Sequence, residues 1–417
     1  MRLRNSVQQP RLRSRWVRFA AVVGPGIVVM LADTDAGSII TAAQSGAEWG
    51  YRLLLLQAVL IPVLYIVQEL TVRLGIVNGK GHGQLIRHHF GSFWAWVSVS
   101  SLILACIGAL ITELSGIAGV GLLVGIPARI SMFIVIAGLM LMVYTGSYRT
   151  VERIAIAIGL FELVFLIVAW QAHAQPAAIL AGAFSLPLTN PNYLYLVAAN
   201  IGAVIMPWMV FYQQSAVVEK KLKIEDLTSA RLDTAIGSVI TQLVMAAVLV
   251  ATAATIGLAG RSQPLETVQQ IAQAITPFLG ERVGTLMFAL GMIGAALVAT
   301  IVVTLTAART LGEVMGFRHS LEYLPREAPW FYGVYTVSLI LGGFLVVSGI
   351  SLVRLSIGVQ VMNALLLPIV LGFLYLLARR ALPDAHRLKG FYAAIVAIII
   401  IVTAGFGVFA ALTGIFI

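Results

Sequence analysis

The sequence contains a single cysteine, Cys106, and only 11% of its residues are Asp, Glu, Lys or Arg. One cysteine excludes an intrachain disulfide and a cysteine-built metal site. The charged share is less than half the roughly 25% usual in soluble domains, which excludes an ordinary soluble protein. Acids are the scarcer sign, with 17 Asp and Glu against 27 Lys and Arg. A net charge of +10 would suggest a nucleic-acid binder in a soluble chain. Here 60% of residues are hydrophobic and mean hydropathy is +0.97, so the basic residues need another explanation. Also missing is any polar stretch long enough to form a separate soluble domain.

What the sequence has instead is a series of mostly apolar windows long enough for a helix to cross a bilayer, about 18 residues or more. Eleven such windows run over 17–46, 52–74, 92–124, 129–147, 152–172, 193–218, 234–259, 283–308, 330–349, 354–378 and 390–416. The expected fold is therefore an all-α integral membrane protein of 11 transmembrane helices. It forms one transporter domain, 17–417, behind a basic tail, 1–16. The first apolar window lacks a small-residue cleavage site and contains Asp33 and Asp35, so it reads as a retained helix and not a signal peptide.

Placing the N-terminus in the cytoplasm leaves five basic residues outside: Arg52, Arg129, Arg261, Arg282 and Arg354. The other 22 of the 27 then lie inside, as the positive-inside rule requires. The expected topology is N-in and C-out, with the basic loops near anionic lipid. The segments 77–91, 219–233 and 309–328 read as cytoplasmic connectors. Among them His82, His88 and His89, beside Arg87, read as a solvated basic loop. Outside, residues 265–276 have the pattern of a short amphipathic surface helix.

Two windows are interrupted, in matching places in the two halves. Asp33-Thr34-Asp35-Ala36-Gly37-Ser38 breaks the first, and Ala203-Val204-Ile205-Met206-Pro207-Trp208 breaks the sixth. A carboxylate at mid-membrane depth costs about 2.5–3.5 kcal/mol on insertion scales, so one that persists there holds an ion, a proton or a partner. Gly37 and Pro207 are the expected local means of unwinding, freeing backbone carbonyls for an ion. Paired broken helices point to the central site of a secondary transporter. Each break opens a group of five windows, about 17–172 and 193–378. Five helices being an odd number, the groups insert in opposite senses, a LeuT-type 5+5 inverted repeat, with 390–416 as an added helix.

Gly24-Pro25-Gly26, Asp35-Ala36-Gly37-Ser38, Thr41-Ala42-Ala43-Gln44-Ser45-Gly46-Ala47, Arg73-Leu74-Gly75-Ile76-Val77 and Ala203-Val204-Ile205-Met206-Pro207 together resemble the Nramp metal-ion transporters. In that family a DPGN tetrad precedes TxxQxGA in helix one, RLGIV follows helix two, and AxxMP lies in helix six. The resemblance implies that Asp35, Ser38, Ala203 and Met206 hold a divalent metal as transported cargo. Asp33, Glu113, Trp208, Gln213, Gln360 and Asn363 are candidates for the cavity or its surroundings. The departures are specific. Ala36 replaces the tetrad's Pro and Ser38 its Asn, Trp208 and Gln213 stand where the family has histidines, and Gly116 where it has an acid. Histidine suits proton transfer near neutral pH, so its loss argues against proton coupling. This pattern is most similar to the Nramp-related magnesium transporter branch, and implies import of Mg²⁺ with Mn²⁺ tolerated.

The residues themselves agree with a hard-cation site. Asp35 offers an anionic oxygen, Ser38 a hydroxyl, and the breaks offer carbonyls at Ala32 or Ala203. Mg²⁺ takes near-octahedral oxygen at about 2.0–2.1 Å and keeps water, while the Met206 thioether favours a softer ion. A proton-coupled Mn²⁺ or Fe²⁺ transporter is the alternative. A LeuT-type carrier of a small organic anion is less consistent, because Asp35 would repel the substrate. The expectation is of no enzyme: an intramembrane aspartyl protease needs two aspartates on different helices, whereas Asp33 and Asp35 share one segment. No resident cofactor is expected, and the expected partners are the cargo ion and the bilayer, with no nucleic acid and no obligate protein partner. Glu69 and Arg73, four apart, read as a structural ion pair. Glu162 has no assigned role.

Overall fold

The computed structural model describes residues 22–257, 264–275, 279–348 and 352–416, and every regular element among them is helical. The apolar windows reappear with limits shifted by up to seven residues among the described positions, while 17–21 and 258–259 lie outside the described residues. The first is split into α1 (Pro25–Asp33) and α2 (Ala36–Trp49), and the second is α3 (Leu54–Asn78). Then come α4 (His82–Phe90), α5 (Ser92–Leu123), α6 (Ala128–Thr145), α7 (Tyr148–Gly159), α8 (Val164–Gln171) and α9 (Pro176–Ala183). The sixth window is split into α10 (Pro191–Val204) and α11 (Pro207–Glu219). The chain continues through α12 (Leu227–Thr252), α13 (Val268–Ile275), α14 (Glu281–Met315), α15 (Pro329–Val347), α16 (Leu352–Arg380) and α17 (Gly390–Phe416). The basic tail 1–16 lies outside the described residues.

By length and hydropathy, ten stretches among the described residues can cross a membrane, one fewer than the eleven windows. The break explains the difference. At nine residues α1 reaches about 14 Å, half a bilayer core. α2 runs through a short 3₁₀ turn, Gly50–Leu53, directly into α3, so Ala36–Asn78 counts once. The segment 77–91, read as a connector, contains a helix, α4, and a further short helix, α9, lies between the fifth and sixth windows. The short helix expected at 265–276 is α13.

The broken helices occupy the middle of the bundle. In the α10–α11 stretch 94% of the apolar window is buried, against 22% in α6. α3 packs on α12, α5 on α14, and α10 on α16 and α17, while α1 is held by α7, α12 and α14. The outer helices turn Phe133, Leu141, Trp170, Phe344 and Ile401 outward, the composition a lipid-facing surface needs. α10 can lie against α16 because Gly202 has no side chain: a Cβ there would run into the backbone of Gln360.

Candidate metal centre

The first break falls at Thr34 and Asp35, two residues before Gly37. Gly37 is already helical, which corrects the expectation that it unwinds the chain. Its missing side chain serves close approach instead, since a Cβ would strike the Gln360 amide and lie 3.2 Å from Thr112. Asp35 is the N-cap of α2, its Oδ1 accepting from the Ser38 N–H at 2.6 Å. Glu113 reaches across from α5, and its Oε2 accepts from the Ala36 N–H at 2.9 Å. The N-terminus of α2, which carries partial positive charge, is thus capped by two carboxylates. Ala36's N–H would otherwise close onto the Ala32 carbonyl, so that carbonyl is released.

Each carboxylate spends one oxygen on the helix and keeps another. Asp35 Oδ2 and Glu113 Oε1 are buried with no hydrogen-bond partner, and both residues have no solvent exposure. Asp35 and Glu113 are themselves in side-chain contact. Two neighbouring carboxylates with free oxygens, away from water, require a proton or a cation between them.

The second break falls at Ile205 and Met206. Pro207 is the first residue of α11, the position proline tolerates because the missing N–H is unpaired there anyway. The same missing N–H deprives the Ala203 carbonyl, four residues earlier, of its helical partner. That carbonyl accepts from Ser38 Oγ at 3.1 Å, joining the two breaks directly. Asn200 adds a second link, donating to Ser45 Oγ at 2.8 Å while accepting from Gln57 at 2.6 Å.

Asp35, Ser38, Ala203, Glu113 and Gln360 therefore meet at the first break. Asn363 joins through Gln360, donating to its Oε1 at 2.9 Å. Met206 and Trp208 are completely buried at the second break, and the Trp208 indole N–H has no partner. Gln213 is directed elsewhere, donating to Thr234 of α12 at 3.0 Å. Asp33 ends α1, with Thr241 of α12 beside it. Among the described residues, no three or more His, Cys, Asp or Glu side chains converge on one point. A metal here would draw only part of its shell from carboxylates and the rest from carbonyl, hydroxyl and water.

Some of what the structure shows had no signal in the sequence. Gly116, where an acid is expected in the family, stands so close to α2 that its added Cβ would lie 2.7 Å from that of Ala36. An acid at 116 has no room while the helices keep this spacing. His82, read as part of a solvated loop, is buried on α4, its Nδ1 2.9 Å from Gln214 Oε1. His88 and His89 are exposed as expected. The Glu69–Arg73 pair forms at 2.5 Å, and Arg231 joins it from α12.

Two helices broken side by side at the centre of an apolar bundle, with free oxygens facing inward, define a membrane protein of the broken-helix transporter class. The chain belongs to the Nramp family: the model described as natural resistance-associated macrophage protein-like matches residues 26–413. Among similar proteins, the divalent metal cation transporter MntH of Bradyrhizobium diazoefficiens is 30% identical over 315 residues, 72% of this chain and 69% of that protein. A crystal structure of the Eremococcus coleocola manganese transporter superposes with a TM-score of 0.79 at 20% identity, covering 98% of this chain and 90% of the other. Mhp1, a nucleobase-cation-symport-1 family transporter in a closed conformation, gives a TM-score of 0.59 at 17% identity, covering 94% and 90%. The fold is accordingly the LeuT-type membrane fold.

Proposed function

We propose that this chain carries divalent metal cations across a bacterial cytoplasmic membrane by alternating access, with Mn²⁺ as the principal cargo. The observation that carries the reading is the pair of unpartnered oxygens, Asp35 Oδ2 and Glu113 Oε1, buried where both helices break. The Ala203 carbonyl, Ser38 Oγ and the Met206 thioether would complete the shell with water. The relatives' names favour manganese, and Met206 suits it better than magnesium. The expected preference for Mg²⁺ draws no support from those names. It stands as a second reading, favoured by Ser38 and Ala36, which leave space for a hydrated ion.

Transport uncoupled from protons is part of the proposal. Trp208 and Gln213 replace the family's histidines, and the packing of Gly116 on Ala36 removes the second acid. A negative interior already favours a dication by about 4.6 kcal/mol at 100 mV, twice the value per charge. The proposed topology is N-in and C-out, with two inverted groups of five helices. The 22-to-five split of basic residues favours the orientation, and the packing of α3 on α12 and of α5 on α14, each a helix against its counterpart in the other group, favours the repeat.

Purified protein in liposomes holding an internal pH indicator provides the test. Saturable Mn²⁺ entry that leaves the internal pH unchanged is expected. Mg²⁺ outcompeting Mn²⁺ would select the second reading, and metal-dependent acidification lost in Glu113→Gln would restore proton coupling. No flux of either ion through folded protein would sink the function.

A further inference from the structure

The centre at Asp35 leaves a second set of buried polar atoms unexplained. Glu162 lies where α7 and α8 are separated by a 3₁₀ turn, Leu160–Leu163, the kind of mid-helix irregularity that accompanies functional positions. Its carboxyl is fully buried, and neither oxygen has a hydrogen-bond partner. The Thr34 hydroxyl at the break lies beside it, and the charges of Asp35 and Asp33 act on it from further off. Asp33 is 2% exposed and its Oδ1 is also unpartnered. Thr241 of α12 stands beside Asp33, and its hydroxyl meets that of Thr34 at 2.6 Å.

Three separate parts of the chain thus bring two carboxylates beside the break, linked through the paired hydroxyls of Thr34 and Thr241. The ion pairs among the described residues engage Glu69, Glu152, Glu219, Glu266 and Asp384, and none involves Asp33 or Glu162. The last carbonyls of α1 add partial negative charge at the same point. Two buried carboxylates with no basic partner, next to a helix C-terminus, make an environment of one sign. Its donors are oxygen only, without the sulfur that Met206 could bring to the first centre.

We infer that Asp33, Glu162, Thr34 and Thr241 form a second divalent-cation position, adjacent to the one at Asp35 and on its α1 side. This rests on the proposed function and extends it: cargo occupies two neighbouring places on its way through the break. The charges agree, since Asp33, Asp35, Glu113 and Glu162 together balance two dications. Hard oxygen donors suit Mn²⁺ and Mg²⁺ alike, so this position binds without distinguishing them. Any discrimination falls to the first.

Equilibrium dialysis of the full chain in detergent with Mn²⁺ alone, read by electron paramagnetic resonance, tests this. Wild type should bind two Mn²⁺ per chain, with a spectrum broadened by their proximity. Glu162→Gln, similar in size and uncharged, should bind one and show the narrow spectrum of an isolated ion. Asp35→Asn should also bind one. Thr241→Val, which keeps both carboxylates, should weaken the second ion about tenfold or more while leaving the first unchanged, and it provides the measurement if Glu162→Gln does not fold. One Mn²⁺ in wild type, with affinity unaltered by either Glu162→Gln or Thr241→Val, would overturn the second position and leave the proposed function standing. Binding of none would overturn both.

Discussion

Two groups of buried acids in this molecule differ only in their company. At the end of the bundle proposed to face the cytoplasm, four of them are answered on the spot, and a fifth, Asp233, accepts from the Gly26 N–H at 2.8 Å through Oδ2 while its Oδ1 stays unpaired. Glu69 accepts from Arg73 and from Arg231 at 2.7 Å, and Glu152 from Lys220 at 2.9 Å. Glu219 pairs with Arg309 at 2.5 Å and accepts from Ser320 at 2.7 Å, and Glu313 accepts from Ser215 at 2.7 Å and the Gly83 N–H at 3.1 Å. At the breaks, Asp33, Asp35, Glu113 and Glu162 each keep at least one oxygen unpaired. Glu69, Glu152 and Glu313 are buried as the acids at the breaks are, so burial alone does not mark a site. A carboxylate with a built-in cation is closed to ligands and joins helices. One without is held in reserve for something that arrives. The paired acids link α11 to α7 and α14, and α3 to α12.

The largest effect that separates the two groups is at Asp35. Asp35→Ala removes a free oxygen and an N-cap, and the cap is worth only about 1 kcal/mol. The protein should purify as a monodisperse species while Mn²⁺ uptake in liposomes falls to background, a loss of about 100-fold or more, the equivalent of about 2.7 kcal/mol. Uptake near wild type would remove Asp35 from the site and with it the contrast between the groups.

The next comparison exchanges function for stability. Glu219→Ala leaves Arg309, 2% exposed at its side chain, buried without its partner, and breaking such a pair costs about 3–5 kcal/mol. Melting in detergent should fall by many degrees, and adding Arg309→Met should recover most of the loss. Glu113→Gln should do the reverse. Its amide oxygen still accepts from Ala36, so melting holds while Mn²⁺ uptake drops. If both variants lost stability alike, the acids at the breaks would be structural and the distinction would fail.

The fold was legible because crossing a bilayer imposes a length and a composition that short windows reveal. Both breaks were legible because charge and proline inside apolar runs are costly anywhere. What remained hidden depends on contacts between helices. Gly37 was expected to unwind the first helix, but the break lies at Thr34 and Asp35 because Asp35 and Glu113 cap the second half from outside. No local pattern shows that Glu113 of α5 reaches the Ala36 N–H, that Gln213 turns away to Thr234, or that Glu162 faces Thr34. His82 sits among polar and basic neighbours in sequence, and only the docking of α4 buries it. The same docking explains why 77–91 is more than a connector.

That docking supplies the smallest of the expected effects. His82 lies between α3 and α5, outside the spanning helices, edge-on to Phe211 with ring centroids 4.8 Å apart. Burial pushes its imidazole down to about 4, and the hydrogen bond with Gln214 only partly opposes this. An unfolded histidine titrates near 6.5. Between those values the unfolded chain binds more protons than the folded one, so stability rises with pH across the window. At pH 7.5 the ring is neutral in both states and costs nothing. At pH 5 it costs about 2 kcal/mol, at about 1.4 kcal/mol per pH unit below 6.5. Melting in detergent should therefore be lower at pH 5 than at pH 7.5. His82→Gln keeps an amide for Gln214 and has no proton to gain, so it should narrow that difference by a few degrees. An unchanged difference would mean that His82 is charged in the folded protein. The end of the bundle where acids are paired with cations would then contain a buried positive charge of its own.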